Sequence, residues 1–208
     1  AGFDGVELHG AHGYLICAFL SSSLNRRDDA YGGDAERRAR FLYEIVDGVR
    51  AVAKPGFTLG VRLSPERWGL DVRDIRDTAA RLLREAKIDF LDVSLWDFRK
   101  EPEQETLKGR TLASYFTELP RGDVRLGAAG KIMSAEDARD VLAMGFDFSV
   151  IGRAAILHHD FPKRVLADAR FTPRATPASA ATLAAEGISP TFIAYLRAYF
   201  PALVEPAA

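Results

Sequence analysis

Cysteine is nearly absent from this chain. The single thiol, Cys17, excludes an internal disulfide and any cysteine-built zinc or iron–sulfur centre within the 208 residues. One reduced thiol suits a reducing compartment, and a cytoplasmic location is the expectation. A surplus of either charge is missing too, with Lys+Arg at 28 against Asp+Glu at 29 and a net charge of −1. No basic field is available to recruit nucleic acid or anionic lipid, so no nucleic-acid partner is expected. No apolar run approaches the roughly 20 residues that span a bilayer, and no signal-peptide pattern occurs, so no membrane partner is expected either. A Pro/Gly-rich linker within the body and a short internal repeat are also lacking, which leaves one domain of ordinary length.

What is present is ordinary for a folded protein: 48% apolar and 27% charged residues, enough to bury a core. Short apolar or β-branched runs alternate with amphipathic stretches. Strands are expected at 5–8, 58–63, 90–94, 124–128 and 148–151, and helices at 38–53, 74–86 and 135–144. Ser134 before Ala135-Glu136-Asp137 is a helix N-cap signal, and Gly145 suits the position just past the helix end. The segment after Arg170 reads as a loop-like tail, 171–208, with a short helix near 191–199. Alternation of this kind means parallel strands joined by crossover helices. Five such units are either a small open α/β sheet or five of the eight units of a (β/α)₈ barrel, which takes about 250 residues. The opening Ala1-Gly2-Phe3-Asp4-Gly5 lacks an initiator methionine and reads as a helix end turning into a strand. That favours the last five units of a barrel, with earlier units missing.

In parallel α/β folds chemistry gathers at the C-terminal ends of strands. His9, His12 and Tyr14 follow the first strand, Arg62 and Ser64-Pro65 belong to the second, and Ser94, Trp96 and Asp97 end the third. Gly130-Lys131 and Gly152-Arg153 end the last two. In barrels the loops after strands seven and eight often hold phosphate. Glycines there let the backbone approach it, and Arg153 offers a bidentate clamp. Each residue has a plainer reading: a hydrogen-bonded structural histidine, a packed tryptophan, a helix start at Gly152-Arg153. His-x-x-His as a metal pair has no carboxylate or cysteine of the usual spacing beside it, and no metal site is expected. An arginine inside an apolar strand is costly unless paired.

The stretch "GVELHGAHGYL", with "LNRRDDAYGGDAERRARF" behind it, resembles the Old Yellow Enzyme family of FMN-dependent NAD(P)H:flavin oxidoreductases. "GVRLSP" at 60–65 and "DFSVIGRAAI" at 147–156 look like that family's fifth- and eighth-strand motifs, and the resemblance runs from Ala1 to about Lys163. Ser21-Ser22, Glu36-Arg37-Arg38 and Gly130-Lys131 depart from the family's usual residues. The resemblance implies a TIM barrel of which this chain carries the last five units (residues 1–170), bound FMN, and NAD(P)H as reductant. It implies ping-pong reduction of an activated C=C bond. His9 and His12 would donate to the oxygen of a small electrophilic alkene or a phenolic ligand, and Tyr14 would protonate the α-carbon. Arg62 would stabilise the flavin ring, and Gly130, Lys131, Gly152 and Arg153 would hold the phosphate. The alternative is a truncated, non-catalytic half-barrel that binds FMN weakly or not at all and self-associates into a homo-oligomer through its exposed edge. Multidomain relatives with an added iron–sulfur cluster need cysteines after the barrel, and residues 154–208 hold none.

Overall fold

The computed structural model describes residues 2–206, which fall into two compact units. The first comprises residues 2–130 and 141–150 and holds the whole sheet. Its strands β1 (Gly5–Gly10), β2 (Thr58–Leu63), β3 (Phe90–Ser94), β4 (Arg125–Ala129) and β5 (Phe148–Val150) are parallel and lie in sequence order. Among the described residues β1 pairs only with β2 and β5 only with β4.

Alternation along the strands gives the sheet two unlike faces. On one, Leu59, Val61, Leu63, Leu91, Val93, Leu126 and Ala128 are completely buried. With the buried stripes of helices α2 (Ala35–Val52) and α3 (Val72–Glu85), they form the apolar core of the unit. Those stripes, Leu42, Tyr43 and Val46 on α2 and Ile75, Ala79, Leu82 and Leu83 on α3, recur at helical spacing. Each helix is started by an aspartate: Asp34 accepts from the Arg37 N–H at 2.9 Å and Asp71 from the Arg73 N–H at 2.8 Å. Arg38 of α2 is buried, and ties the helix to the Leu20 and Gly33 carbonyls and to Asp74 of α3, 2.5 Å away.

The opposite face is polar toward its C-terminal end and aromatic below it. Register places His9 beside Arg62, Arg62 beside Asp92, Asp92 beside Gly127 and Gly127 beside Phe148. Phe90 and Phe148 meet edge to face, with ring centres 5.7 Å apart, and each ring lies over a glycine of its neighbour strand. A methyl group on Gly60 would stand 2.0 Å from Phe90, and one on Gly127 would stand 2.1 Å from Phe148.

The boundaries expected from the sequence hold to within a few residues for α2, α3, the helix at 135–143 and all five strands. Strand β1 is longer than expected and takes in His9. Helix α1 (Leu15–Leu20) was hidden in the sequence, because six residues, "LICAFL", are too few to show a period.

The second unit comprises Lys131–Asp140 and the chain from Ile151 on, so it begins well before residue 170. In chain order, α4 (Ser114–Thr117) belongs to the first unit, and α5 (Ala135–Ala143) opens with Ser134 accepting from the Asp137 N–H while Asp137 accepts from the Ser134 N–H. Helices α6 (Arg153–Leu157), α7 (Phe161–Ala167), α8 (Ala180–Ala185) and α9 (Pro190–Tyr199) follow. Leu157, Ala178, Leu183, Ile193, Leu196, Leu203 and Val204 pack into a core of their own. The loop-like reading of 171–208 with one helix is corrected here. Two helices form, each opened by a serine, Ser179 accepting from the Thr182 N–H and Ser189 from the Phe192 N–H. Small alanines between those caps masked the first of them.

Gly60→Ala should lower stability by about 1–3 kcal/mol, the usual range for overpacking a filled site. Urea denaturation of the variant beside Gly48→Ala, where an added methyl meets nothing within 4 Å, checks this.

Candidate active site

The polar cluster of the first unit is built by the ends of β1, β2 and β3. His9 stands in β1 directly opposite Arg62. The turn that follows carries His12 in the left-handed region, φ 60°, and delivers Tyr14 to the N-terminus of α1. The ring centres of His9 and His12 are 5.1 Å apart, and those of His9 and Tyr14 5.4 Å. Trp68, in the loop after β2, meets the His12 ring edge-on at 5.8 Å. The three residues that the sequence grouped as substrate-facing, His9, His12 and Tyr14, are thus neighbours in space.

His12 is held at two points. Its backbone N–H donates to Ser64 Oγ at 3.1 Å, and its Nε2 lies 3.0 Å from Ser94 Oγ. Ser94 Oγ also accepts from Arg62 Nε at 2.9 Å. The same nitrogen lies 3.0 Å from Asp92 Oδ2, but its hydrogen points to the serine, so neither Asp92 oxygen completes a hydrogen bond. The Arg62 Nη nitrogens make no hydrogen bond to any described residue, and its side chain keeps 23% of its exposure. A cation anchored from behind by Ser94 and Asp92, with its outer donors unused, fits an anionic or electron-rich ligand edge such as that of a flavin ring.

Burial first and that cation second set the electrostatics of the cluster. Burial, then Arg62, then His9, lower the His12 pKa to about 4, so its imidazole is neutral at pH 7. Burial and Arg62 also lower His9. Asp92 is completely buried, and burial raises its carboxyl to about 7, with Arg62 opposing the shift and Glu7 adding to it. Burial likewise raises Glu7 against the pull of Arg62.

The remaining residues fall elsewhere. Gly130 follows β4 in the first unit, where a side chain would crowd the Asp97 and Phe98 backbone at 3.0–3.1 Å. Lys131, Gly152 and Arg153 belong to the second unit, Lys131 with a left-handed φ of 50° and Gly152 as the residue before α6. Trp96 is 55% exposed with φ 66°, and the Arg67 guanidinium covers one face of its ring at 4.3 Å. Arg67 is in turn held by Glu103 at 2.8 Å. Trp68 and Asp92 were passed over in the sequence. The signal for Asp92 was available: a second charge inside an apolar strand, "FLDVS", one strand along from the first, "GVRL".

Among the described residues the group of His and carboxylate ligands close enough for a metal ion is His158, Asp160 and Glu186, in the second unit. Arg174 already occupies it, 2.5 Å from Glu186 Oε1 and 3.2 Å from His158 Nδ1. Burial would raise Glu186, but donors from His159 and Arg174 outweigh it and pull the carboxyl to about 2. The cluster reads as an ion-pair anchor. No helix among the described residues is long and apolar enough to cross a membrane.

The profile of the NADH:flavin oxidoreductase / NADH oxidase family matches residues 1–170. A probable NADH-dependent flavin oxidoreductase of Bacillus subtilis is 37% identical over 172 residues, covering 79% of this chain and 46% of its own length. The 12-oxophytodienoate reductase 2 of Arabidopsis thaliana is 35% identical over 175 residues, covering 81% and 45%. Among solved structures, morphinone reductase in complex with tetrahydroNAD superposes with a TM-score of 0.65 at 30% identity, over 88% of this chain and 47% of that one. Old Yellow Enzyme from Pichia sp. AKU4542 gives 0.60 at 26% identity, over 79% and 43%. The chain spans about half the length of these relatives. Its five parallel βα units are part of a TIM barrel.

Ionising Asp92 opposes folding, because its carboxyl holds a proton more tightly folded than unfolded. Its contribution is complete below the unfolded value of 3.8 and is lost as pH rises through about 7. Asp92→Asn should therefore gain stability over the wild type between pH 5 and pH 8. Denaturation midpoints at the two pH values check the sign.

Proposed function

This chain belongs to the NADH:flavin oxidoreductase / NADH oxidase family, and from that premise we propose that it forms the substrate-facing part of an FMN-dependent ene-reductase. FMN, the family's cofactor, supplies when bound the two-electron carrier between NAD(P)H and an α,β-unsaturated carbonyl or similar electrophile, in ping-pong order.

His9 and His12 bind and polarise the substrate oxygen. A neutral imidazole has one N–H to give, and two such donors side by side suit a single carbonyl or phenolate oxygen. Because burial and Arg62 keep them neutral, they donate without adding a full charge that water would screen. Tyr14, exposed beside His9, is the proton source for the α-carbon. Arg62 offers its unused Nη donors to negative charge on the cofactor ring. Gly130 leaves the end of β4 free of a side chain, and Lys131, Gly152 and Arg153 are the residues we assign to the phosphate. A nicotinamide reductant with one buried thiol suits the cytoplasm.

The observation that carries the reading is the His9–His12–Tyr14 ring cluster beside a partly exposed cation. Purified protein should show a flavin absorption band that NAD(P)H bleaches and an added enone restores. In the His9→Ala/His12→Ala double variant the band should persist while its restoration by the enone slows by roughly 100-fold or more, the scale of losing oxyanion donors. Unchanged restoration overturns the assignment.

A further inference from the structure

We propose that Ser94 is a positioning residue that sets the tautomer of His12, placing the imidazole proton on Nδ1 as the hydrogen presented to the substrate oxygen. The inference rests on the ligand role given to His12 above, and its core is a count of donors and acceptors. Ser94 Oγ accepts from Arg62 Nε at 2.9 Å and lies 3.0 Å from His12 Nε2. A hydroxyl has one hydrogen to give. Among the described residues that hydrogen has a single acceptor in reach, His12 Nε2, because both oxygens of nearby Asp92 are without hydrogen bonds. Were Nε2 protonated, Ser94 Oγ would receive two donors and its own hydrogen would have no protein acceptor. With Nε2 bare, Arg62 donates to Ser94, Ser94 donates to Nε2, and every member of the chain is satisfied.

The same chain explains why the tautomer is enforced as well as satisfied. A guanidinium on the serine oxygen polarises its O–H and strengthens the bond to Nε2. Its positive charge also disfavours the imidazolium. The ring itself cannot swing away easily: the His12 backbone N–H is held by Ser64 at 3.1 Å, and Trp68 meets the ring edge-on. Neutral imidazole in water prefers its proton on Nε2, so the structure reverses an intrinsic preference. The consequence is a link between strands: the cation on β2 acts on a donor in the β1 loop through a hydroxyl at the end of β3.

Ring ¹⁵N spectra of the ¹⁵N-histidine-labelled protein at pH 7 test this without substrate, His12 being assigned by the signals lost in His12→Gln. The wild type should show His12 with Nδ1 protonated and Nε2 bare. Ser94→Ala should move the proton to Nε2, and Ser94→Thr, which keeps the hydroxyl, should restore it to Nδ1. A wild-type His12 protonated on Nε2 overturns the proposal by itself, whether or not the variants fold, and so does an unchanged tautomer in a folded Ser94→Ala. A phenol titration then separates the two readings. If the tautomer shifts as described, phenol affinity should fall about tenfold in Ser94→Ala, the scale of one misdirected hydrogen bond. A tautomer that shifts with phenol affinity unmoved supports the relay and counts against the ligand role of His12.

Discussion

Arg62 is a guanidinium placed inside a parallel sheet, where a charge is tolerable only with partners. Its neighbours are the response to that constraint. Asp92 stands one strand over with a fully buried carboxylate, Ser94 takes the Nε hydrogen, and Glu7 and His9 lie on the adjoining strand. Two carboxyls and one cation leave a local balance that is easily tipped. Asp92 is held back from ionising by its burial and Glu7 is raised as well, while both histidines are kept from protonating. Burial thus sets the direction of each shift, the cation adding to it at the two histidines and opposing it at the two carboxyls, while the outer donors of Arg62 are left for something else.

The backbone around this cluster carries strain of a consistent kind. Of the non-glycine residues with a left-handed φ among those described, His12 follows β1, Arg67 and Trp68 follow β2, Trp96 follows β3 and Lys131 follows β4. Only Ala86, closing α3, lies away from a strand's C-terminal end. Such conformations cost of order 1 kcal/mol or more for a bulky residue and persist where the surroundings enforce them. Here the restraints are visible. Trp68 packs against Gly13 and His12, and Arg67 is clamped between Glu103 and the Trp96 ring. The lower part of the polar face is filled differently, by two phenylalanine rings over two glycines, so the polar groups gather at the end where the loops are.

Much of this was legible beforehand, and the reason differs between parts. The strands and long helices could be read because a sheet face buried against helices demands apolar residues at period two, and α2 and α3 demand them at period 3.6. The family could be read because a long motif of specific residues carries it, and the match over residues 1–170 agrees. Short helices such as α1 and α8 were not legible, since six residues make under two turns and leave no period to detect. His9 was placed after its strand rather than in it, because a histidine followed by glycine looks like a turn until Arg62 is seen pairing opposite.

The sequence by itself determined which residue types stand at the strand ends, the alternating architecture, and the membership of a flavin oxidoreductase family. Only the tertiary structure decided how they act on one another. Ser94 could be read only as a polar residue at the end of a strand, 82 positions from His12 in the chain, yet its hydroxyl lies 3.0 Å from the imidazole. Asp92 is an ordinary aspartate until burial removes its water and register sets it beside Arg62. A residue's type is local to the chain, whereas its charge state and the direction of its proton are set by neighbours that strand pairing brings from far away.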